Sequence, residues 1–380
     1  MDGGLWNKAY LRLIVKYFII SGEASGDLHA GNLLTALKRL DPQAEAQAWG
    51  GESLTQAGAT VLKHYRDLAF MGFVEVIRHL PEIWRNFAQC KAEITAFHPH
   101  AIILVDYPGF NLRMAGWAKQ QGYKVFYYIS PQVWAWKSSR VKLIRRYVDL
   151  MLCILPFEVE FFARYGVKVD FVGHPLLDEL SAYKPEAWPE LNSVKPIIAL
   201  LPGSRQQEIE KVLPIMLQLP TLFPAYQFMV AGTNQIHPGI YHSLIGTNSQ
   251  VQVVFGKTRQ LLAIAHAACV TSGTATLETG LLEVPQVVCY RGNWLSYQIA
   301  RRLIKVKFIS LVNLVLDKQS VRELIQDDLK VDTLSSALQD LLRGPRRTEI
   351  IEDYRRLKKR LGGPGASSRA AELINRYLKS

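Results

Sequence analysis

Short β-branched and aliphatic runs alternate along the chain with amphipathic segments of about ten to fifteen residues, the βαβ signature of a parallel sheet with helices on both faces. The pattern occurs twice. It predicts strands near Leu13–Ile20, Ala44–Trp49, Ala101–Val105, Lys124–Ile129, Leu150–Ile154 and Val169–Val172, then near Pro196–Leu201, Tyr226–Val230, Val251–Val254, Ala268–Thr271 and Gln286–Cys289. Between the sets, residues 181–196 carry three prolines and no clean periodicity, which reads as an interdomain linker. The expected fold class is α/β, two Rossmann-like domains facing a central cleft. The expected bounds are an N-terminal extension over 1–15, a first domain over 16–180, the linker over 181–196, a second domain over 197–344 and C-terminal helices over 345–380. A Gly-Gly-Pro-Gly break at 362–365 divides those last helices.

Composition narrows the class without choosing a function. The chain has 380 residues, 49% of them apolar and 21% charged, enough for two ordinary cores and unlike a disordered or collagen-like sequence. A formal charge of +12 suits an anionic partner: nucleic acid, nucleotide phosphates, a phosphorylated substrate or an acidic membrane surface. Four widely spaced cysteines with no CxxC pair argue against a disulfide framework or a zinc knuckle and fit a reducing cytosol. No apolar run reaches the roughly 18 to 20 residues of a membrane span, and the N-terminus does not read as a signal peptide.

In open α/β sheets, ligands sit beyond the carboxyl ends of the strands, so the residues just after each strand carry the chemistry. The first strand runs into Ser21-Gly-Glu-Ala-Ser-Gly-Asp27 and then a helix predicted over Leu28 to Leu40. Small residues there permit a tight turn and close approach of a ligand to helix N–H groups, with Ser25 or Asp27 as an alternative helix cap. Glu23 stands out because a carboxylate within such a turn does little for folding. The third strand ends in Val105-Asp-Tyr-Pro-Gly-Phe-Asn111. Asp106 there suits a general base, with an ordinary pKa of roughly 3.9, or an Asx-type cap of the turn.

The second half repeats the logic. Leu200-Leu-Pro-Gly-Ser-Arg205 sets a guanidinium at a helix start, an arrangement suited to a pyrophosphate. Ser272, Gly273 and Thr274 form a second such junction, and Glu278 about one turn later either pairs with a ribose diol or complements the helix dipole. Together these point to a nucleotide diphosphate site. The block from Tyr123 to Lys137, with Trp134 and Trp136, interleaves aromatic and basic residues. It is part core and part candidate surface for sugar, membrane or nucleic acid. Phe70, Met71 and Phe73 lie in a greasy stretch that is either a buried helix start or an exposed rim for acyl chains or membrane. His174 fits a ligand contact or a hydrogen-bonded domain edge; His98 and His100 look structural, and no metal constellation is found.

Taken in order, SGEASGD at 21–27, MGFVEV at 71–76, VDYPGFN at 105–111, SPQVWAWK at 130–137, LPFE at 155–158, GHPLLD at 173–178, LPGSR at 201–205, SGTATLE at 272–278 and SLVNL at 310–314 resemble the lipid-A-disaccharide synthase family over about residues 16–378. The resemblance implies an inverting, metal-independent glycosyltransferase of the two-Rossmann GT-B type, needing no cofactor. Its substrates would be UDP-2,3-diacylglucosamine and 2,3-diacylglucosamine 1-phosphate, joined as a β-1,6 disaccharide phosphate with release of UDP. It further implies a peripheral protein on the cytoplasmic face of the inner membrane in Gram-negative bacteria, held to an anionic surface, with homodimerisation left open and no nucleic acid partner.

Carried over by motif, Asp106 would be the general base, and Arg205 with Ser272, Gly273 and Thr274 would stabilise the departing diphosphate. Glu278 would hold the ribose, while Glu23 and Asn313 match polar active-site positions. The sequence departs from the family's commoner form at Gly109, where a second acid is usual. The final helix would cross back to the first domain. The alternatives are a UDP-GlcNAc 2-epimerase or another UDP-sugar transferase on the same fold, a hydrolase, or a non-enzymatic basic protein bound to nucleic acid or membrane.

Overall fold

The computed structural model describes residues 14–68, 80–134, 138–184, 188, 195–246, 250–292 and 307–380. Among them, two all-parallel sheets account for thirteen strands. The first contains β1 (Lys16–Ser21), β2 (Glu45–Gly50), β3 (Thr60–His64), β4 (Ala101–Val105), β5 (Lys124–Tyr128), β6 (Leu150–Cys153) and β7 (Asp170–Phe171), in spatial order β3-β2-β1-β4-β5-β6-β7. The second contains β8 (Ile197–Leu201), β9 (Gln227–Gly232), β10 (Val251–Phe255), β11 (Ala265–Thr271), β12 (Gln286–Tyr290) and β13 (Arg322–Ile325), in order β10-β9-β8-β11-β12-β13. Central strands such as β4 and β8 are buried along their whole length, which is why they read as unbroken aliphatic runs. The two strands that the pattern missed, β3 and β13, lie at sheet edges. Half-exposed and interrupted by Lys63, His64, Arg322 and Glu323, they carry no apolar run to detect.

In each sheet the strand order reverses once, between β1 and β4 in the first and between β8 and β11 in the second. Helices leave in opposite directions there, opening a crevice at the strand ends where doubly wound proteins bind ligands. Register brings the sequence motifs together at these points. Ser21 pairs with Val105, so Gly22 and Glu23 emerge beside Asp106; Leu201 pairs with Val270, so the Pro-Gly-Ser turn emerges beside Thr271 and Ser272.

The helix Pro345–Arg360 packs on the second domain, against the helices Thr274–Leu281 and Leu311–Leu316. Only the last helix, Ala366–Lys379, returns to the first domain, lying along the helix Ala24–Leu40. The final helix thus crosses back to the first domain as the sequence suggested, the crossing itself beginning after Leu361. The break is clasped from the first domain: Asp178 accepts from the backbone N–H of Gly365 (2.5 Å), Ala366 (3.1 Å) and Ser367 (3.1 Å), capping the last helix from another element. Arg369 donates to the Val172 carbonyl at 2.7 Å, and the His174 N–H to Leu361 at 3.3 Å. Gly173 permits that approach, with φ of +87°; a Cβ there would lie 2.5 Å from the Arg369 guanidinium and 3.2 Å from the Leu361 carbonyl. Replacing Asp178 by Ala removes a three-donor cap and is expected to cost about 1–2 kcal/mol, read as a fall in the thermal midpoint. Asp178→Asn, which keeps an acceptor, should lose less than half of that.

Candidate active site

The second domain supplies a cradle at its crevice. Gly203 adopts φ of +115°, and a Cβ there would sit 2.6 Å from Glu208 Oε2, so the turn after β8 needs glycine. Arg205 follows in extended conformation at the start of the helix Gln206–Met216, its side chain 65% exposed. The Ser204 amide donates to Glu208 Oε2 at 3.3 Å, and Arg205 Nη1 lies 3.5 Å from Oε1. A carboxylate thus occupies the place where a helix start and a guanidinium converge, the chemistry that also receives phosphate.

Across the crevice, Ser272 is fixed by its hydroxyl donating to the Ile309 carbonyl at 3.0 Å and its amide to Cys289 at 3.0 Å. Gly273 and Thr274 are exposed at the start of the helix Thr274–Leu281. Thr271, only 4% exposed, has a hydroxyl with no hydrogen-bond partner among the described residues, and like its neighbours it lines a cleft of about 890 Å³. Glu278, one turn along, lines the same cleft. Its Oε1 accepts from Arg259 Nε at 2.5 Å, and Arg259 Nη2 is paired in turn with Glu179 of the first domain.

The first domain closes the cleft from the other side. A Cβ on Gly22 would lie 2.3 Å from the Tyr107 ring, so glycine is required for the β1 and β4 turns to pack together. The helix predicted from Leu28 begins at Ala24, with Glu23 at the N-cap position in extended conformation. Glu23 makes no side-chain cap bond, is exposed, and lines the cleft. Neither Ser25 nor Asp27 caps this helix. Asp27 is buried and reaches across to the next turn, accepting from the N–H groups of Gly51 (2.6 Å) and Ser53 (2.9 Å) at the start of the helix Glu52–Gln56. Its role is to hold two loops together.

Asp106 stands beside Glu23 in a strained turn and is not itself among the residues that line the cleft. It and Tyr107 adopt left-handed backbone, φ +46° and +48°, a region non-glycine residues occupy at some cost, and the latter precedes a proline. Tethers hold them. Asn111, fully buried, donates to the Asp106 carbonyl at 2.8 Å, Tyr127 donates its hydroxyl to the same oxygen at 2.5 Å, and Tyr107 donates to Leu68 at 3.2 Å. Both donors take the backbone oxygen and leave the Asp106 carboxylate free of them. Burial pushes that carboxyl up to about 6, and the Glu23 charge adds to the effect, against a lowering hydrogen bond from the Tyr107 backbone. The ordinary value expected from the sequence is thus replaced by one near neutrality. Gly109, exposed, has nothing within 4 Å of where a Cβ would be.

Other sequence candidates fall elsewhere. Asn313 is fully buried, with its amide committed to the Val321 backbone (2.8 and 2.9 Å) and to Glu323 (2.8 Å). It does not line the cleft; it fixes the segment whose Ile309 carbonyl anchors Ser272. Trp134 is half-buried, donating its indole N–H to Glu158 at 3.1 Å, and borders a separate groove with Phe157, Phe161 and Phe308. Glu158 is a buried hub that also accepts from Ser130 and the amides of Ile154 and Leu155; burial outweighs these bonds and pushes it up to about 7. His174 is buried, accepts from the Leu176 amide at 3.2 Å and is pushed down to about 3 by burial, which makes it a neutral structural group. Phe70, Met71, Phe73 and Trp136 lie outside the described residues. Among the described residues no cluster of three or more His, Cys, Asp or Glu could hold a metal ion.

Sequence reasoning missed Arg259, Glu179 and the tethering role of Asn111. Arg259 and Glu179 lie 80 positions apart in different domains, so no local pattern links them.

The lipid-A-disaccharide synthetase family matches residues 17–376. The lipid-A-disaccharide synthase of Geobacter metallireducens is 37% identical over 373 residues, spanning 96% of this chain and 97% of that protein. That of Syntrophus aciditrophicus is 39% identical over 372 residues, covering 95% and 97%. Among solved structures, UDP-GlcNAc 2-epimerase from Neisseria meningitidis bound to UDP-GlcNAc superposes with a TM-score of 0.68 at 12% identity, over 96% of this chain and all of that one. The kitacinnamycin glycotransferase superposes at 0.66 with 15% identity, over 96% and 99%. At such identities the structural likeness establishes a shared GT-B-like fold.

Proposed function

The chain belongs to the lipid-A-disaccharide synthase family and is a glycosyltransferase of lipid A biosynthesis, and on that premise we propose that Asp106 is its general base and Arg205 its diphosphate anchor. The family implies a UDP-diacylglucosamine donor and a diacylglucosamine 1-phosphate acceptor. One observation carries the reading: Asp106 follows β4 beside Gly22 and Glu23, and those two line the same cleft as Arg205 and the Ser272–Thr274 turn, with burial raising the Asp106 carboxyl to about 6. The acceptor 6-hydroxyl gives its proton to the Asp106 carboxylate as its oxygen bonds to the anomeric carbon. The bond from that carbon to the phosphate oxygen breaks on the opposite face, so one displacement turns an α linkage into a β linkage. Negative charge grows on the leaving UDP, where Arg205, the Ser204 amide and the Ser272–Thr274 turn meet it. A fixed cation in that place supports a reaction without divalent metal. Glu278 receives the ribose, and Asn313 acts from behind through the Ser272 wall.

Peripheral attachment to an anionic membrane completes the proposal. It is supported by the charge of +12 and by the acylated substrates; no helix among the described residues is long and apolar enough to cross a membrane. The epimerase alternative shares the fold, but full-length identity of 37–39% lies with the synthases.

The test combines both acylated sugars with the purified protein in the presence of a chelator, following disaccharide and UDP against pH. Asp106 must be ionised to accept the proton, so protonation as pH drops through about 6 removes activity. The expected kcat/KM is flat above that value and falls about tenfold per pH unit below it. No disaccharide, or an acid limb that stays in place in Asp106→Asn, would overturn the assignment.

A further inference from the structure

Four side chains from four helices form one chain of contacts between the domains. His29 Nδ1, on the helix Ala24–Leu40, lies 3.5 Å from Glu179 Oε1 on the helix Leu176–Ala182. Glu179 Oε2 pairs with Arg259 Nη2 on the helix Thr258–Ile264, and Arg259 Nε donates to Glu278 Oε1 at 2.5 Å on the helix Thr274–Leu281. The first two belong to the first domain and the last two to the second. The two carboxylates are well shielded, with side chains 9% and 15% exposed, while the guanidinium between them is 33% exposed. A planar guanidinium can hold two carboxylates on separate edges, which a lysine ammonium cannot do with the same geometry. The bridge uses one oxygen of Glu278; Oε2 takes no hydrogen bond from a described residue and is left for a ligand in the cleft that Glu278 lines.

We propose that Arg259 is a positioning residue that orients Glu278 for the donor and, through Glu179, ties the donor site to the first domain, so that the site is complete only when the two domains are in register. This rests on the reading of Glu278 as the ribose-binding acid. Two separable effects follow. Without Arg259, Glu278 loses its orientation and the domains lose a contact. Without the Glu179 charge, Glu278 keeps its partner and only the domain contact weakens.

Arg259→Gln is therefore expected to weaken UDP binding about tenfold by calorimetry and also to lower kcat. Glu179→Gln should leave UDP affinity within about twofold while lowering kcat three- to tenfold. Arg259→Lys should recover UDP affinity to within about threefold and keep the kcat deficit, because an ammonium does not reproduce the two-edged geometry by which the guanidinium spans both acids. Thermal midpoints establish that each variant is folded; should Arg259→Gln fail to fold, Glu179→Gln and Arg259→Lys decide by the same split. The proposal is overturned if Glu179→Gln weakens UDP as much as loss of Arg259 does, or if the foldable Arg259 variants keep both UDP affinity and kcat within twofold of the parent. Wild-type protein that binds UDP but makes no disaccharide would instead bring down the reading of the reaction, and the calorimetric arm would still judge the bridge.

Discussion

Asp106→Asn is expected to lower kcat by about two to four decades, the range for loss of a positioned general base, while UDP affinity stays within about threefold. Asn is the informative replacement because the backbone there is left-handed, φ +46°, a conformation that Asn tolerates well and Ala does not. The carbonyl bonds from Asn111 and Tyr127 act on the main chain and survive the exchange. Near-native thermal stability is therefore expected alongside the loss, and a small rise would be unsurprising because a buried carboxylate near Glu23 is relieved of its charge. Retention of more than a tenth of wild-type kcat would remove Asp106 from the base role and turn attention to Glu23, the neighbouring acid that lines the cleft.

The setting of Asp106 also shows how much of the site could be seen in one dimension. Strand ends are legible because a buried parallel strand is an aliphatic run, and whatever follows it must emerge at the sheet edge. That rule alone brought Glu23, Asp106, Arg205 and the Ser272–Thr274 turn to the two switch points. It could not supply the pKa of Asp106, which depends on burial and on Glu23, more than eighty positions away in the chain. Nor could it tell a carboxylate aimed at the cleft from one aimed inward: Asp27 and Glu23 share one turn, yet Asp27 holds the Gly51 loop and Glu23 is exposed. Asn313 shows the same limit, a polar residue in a matching motif whose amide is engaged by Val321 and Glu323 and which does not line the cleft. Edge strands β3 and β13 carry too little apolar sequence to announce themselves, and the Glu179–Arg259–Glu278 bridge exists only once two domains are assembled.

Arg205→Ala is expected to reduce kcat by about two to three decades and to weaken UDP about tenfold. The size follows from electrostatics: a unit charge about 4 Å from a phosphate is worth roughly 4 kcal/mol at an effective dielectric constant near 20, close to three decades in rate if realised mainly in the transition state. The split between kcat and affinity arises because UDP carries more charge as it departs than the bound donor carries in the ground state. Arg205 is held only loosely, 3.5 Å from Glu208 with its side chain 65% exposed, so its removal costs the fold little and the thermal midpoint should move by less than about 2 °C. Arg205→Lys keeps the charge and loses the fork, and should recover about half of the lost decades. Steady-state kinetics with both acylated sugars, paired with UDP calorimetry, reads both quantities. A kcat for Arg205→Ala within threefold of wild type would mean that the Ser204 and Ser272–Thr274 donors suffice for the leaving group. The case for a fixed cation in place of a divalent ion would then fail with it.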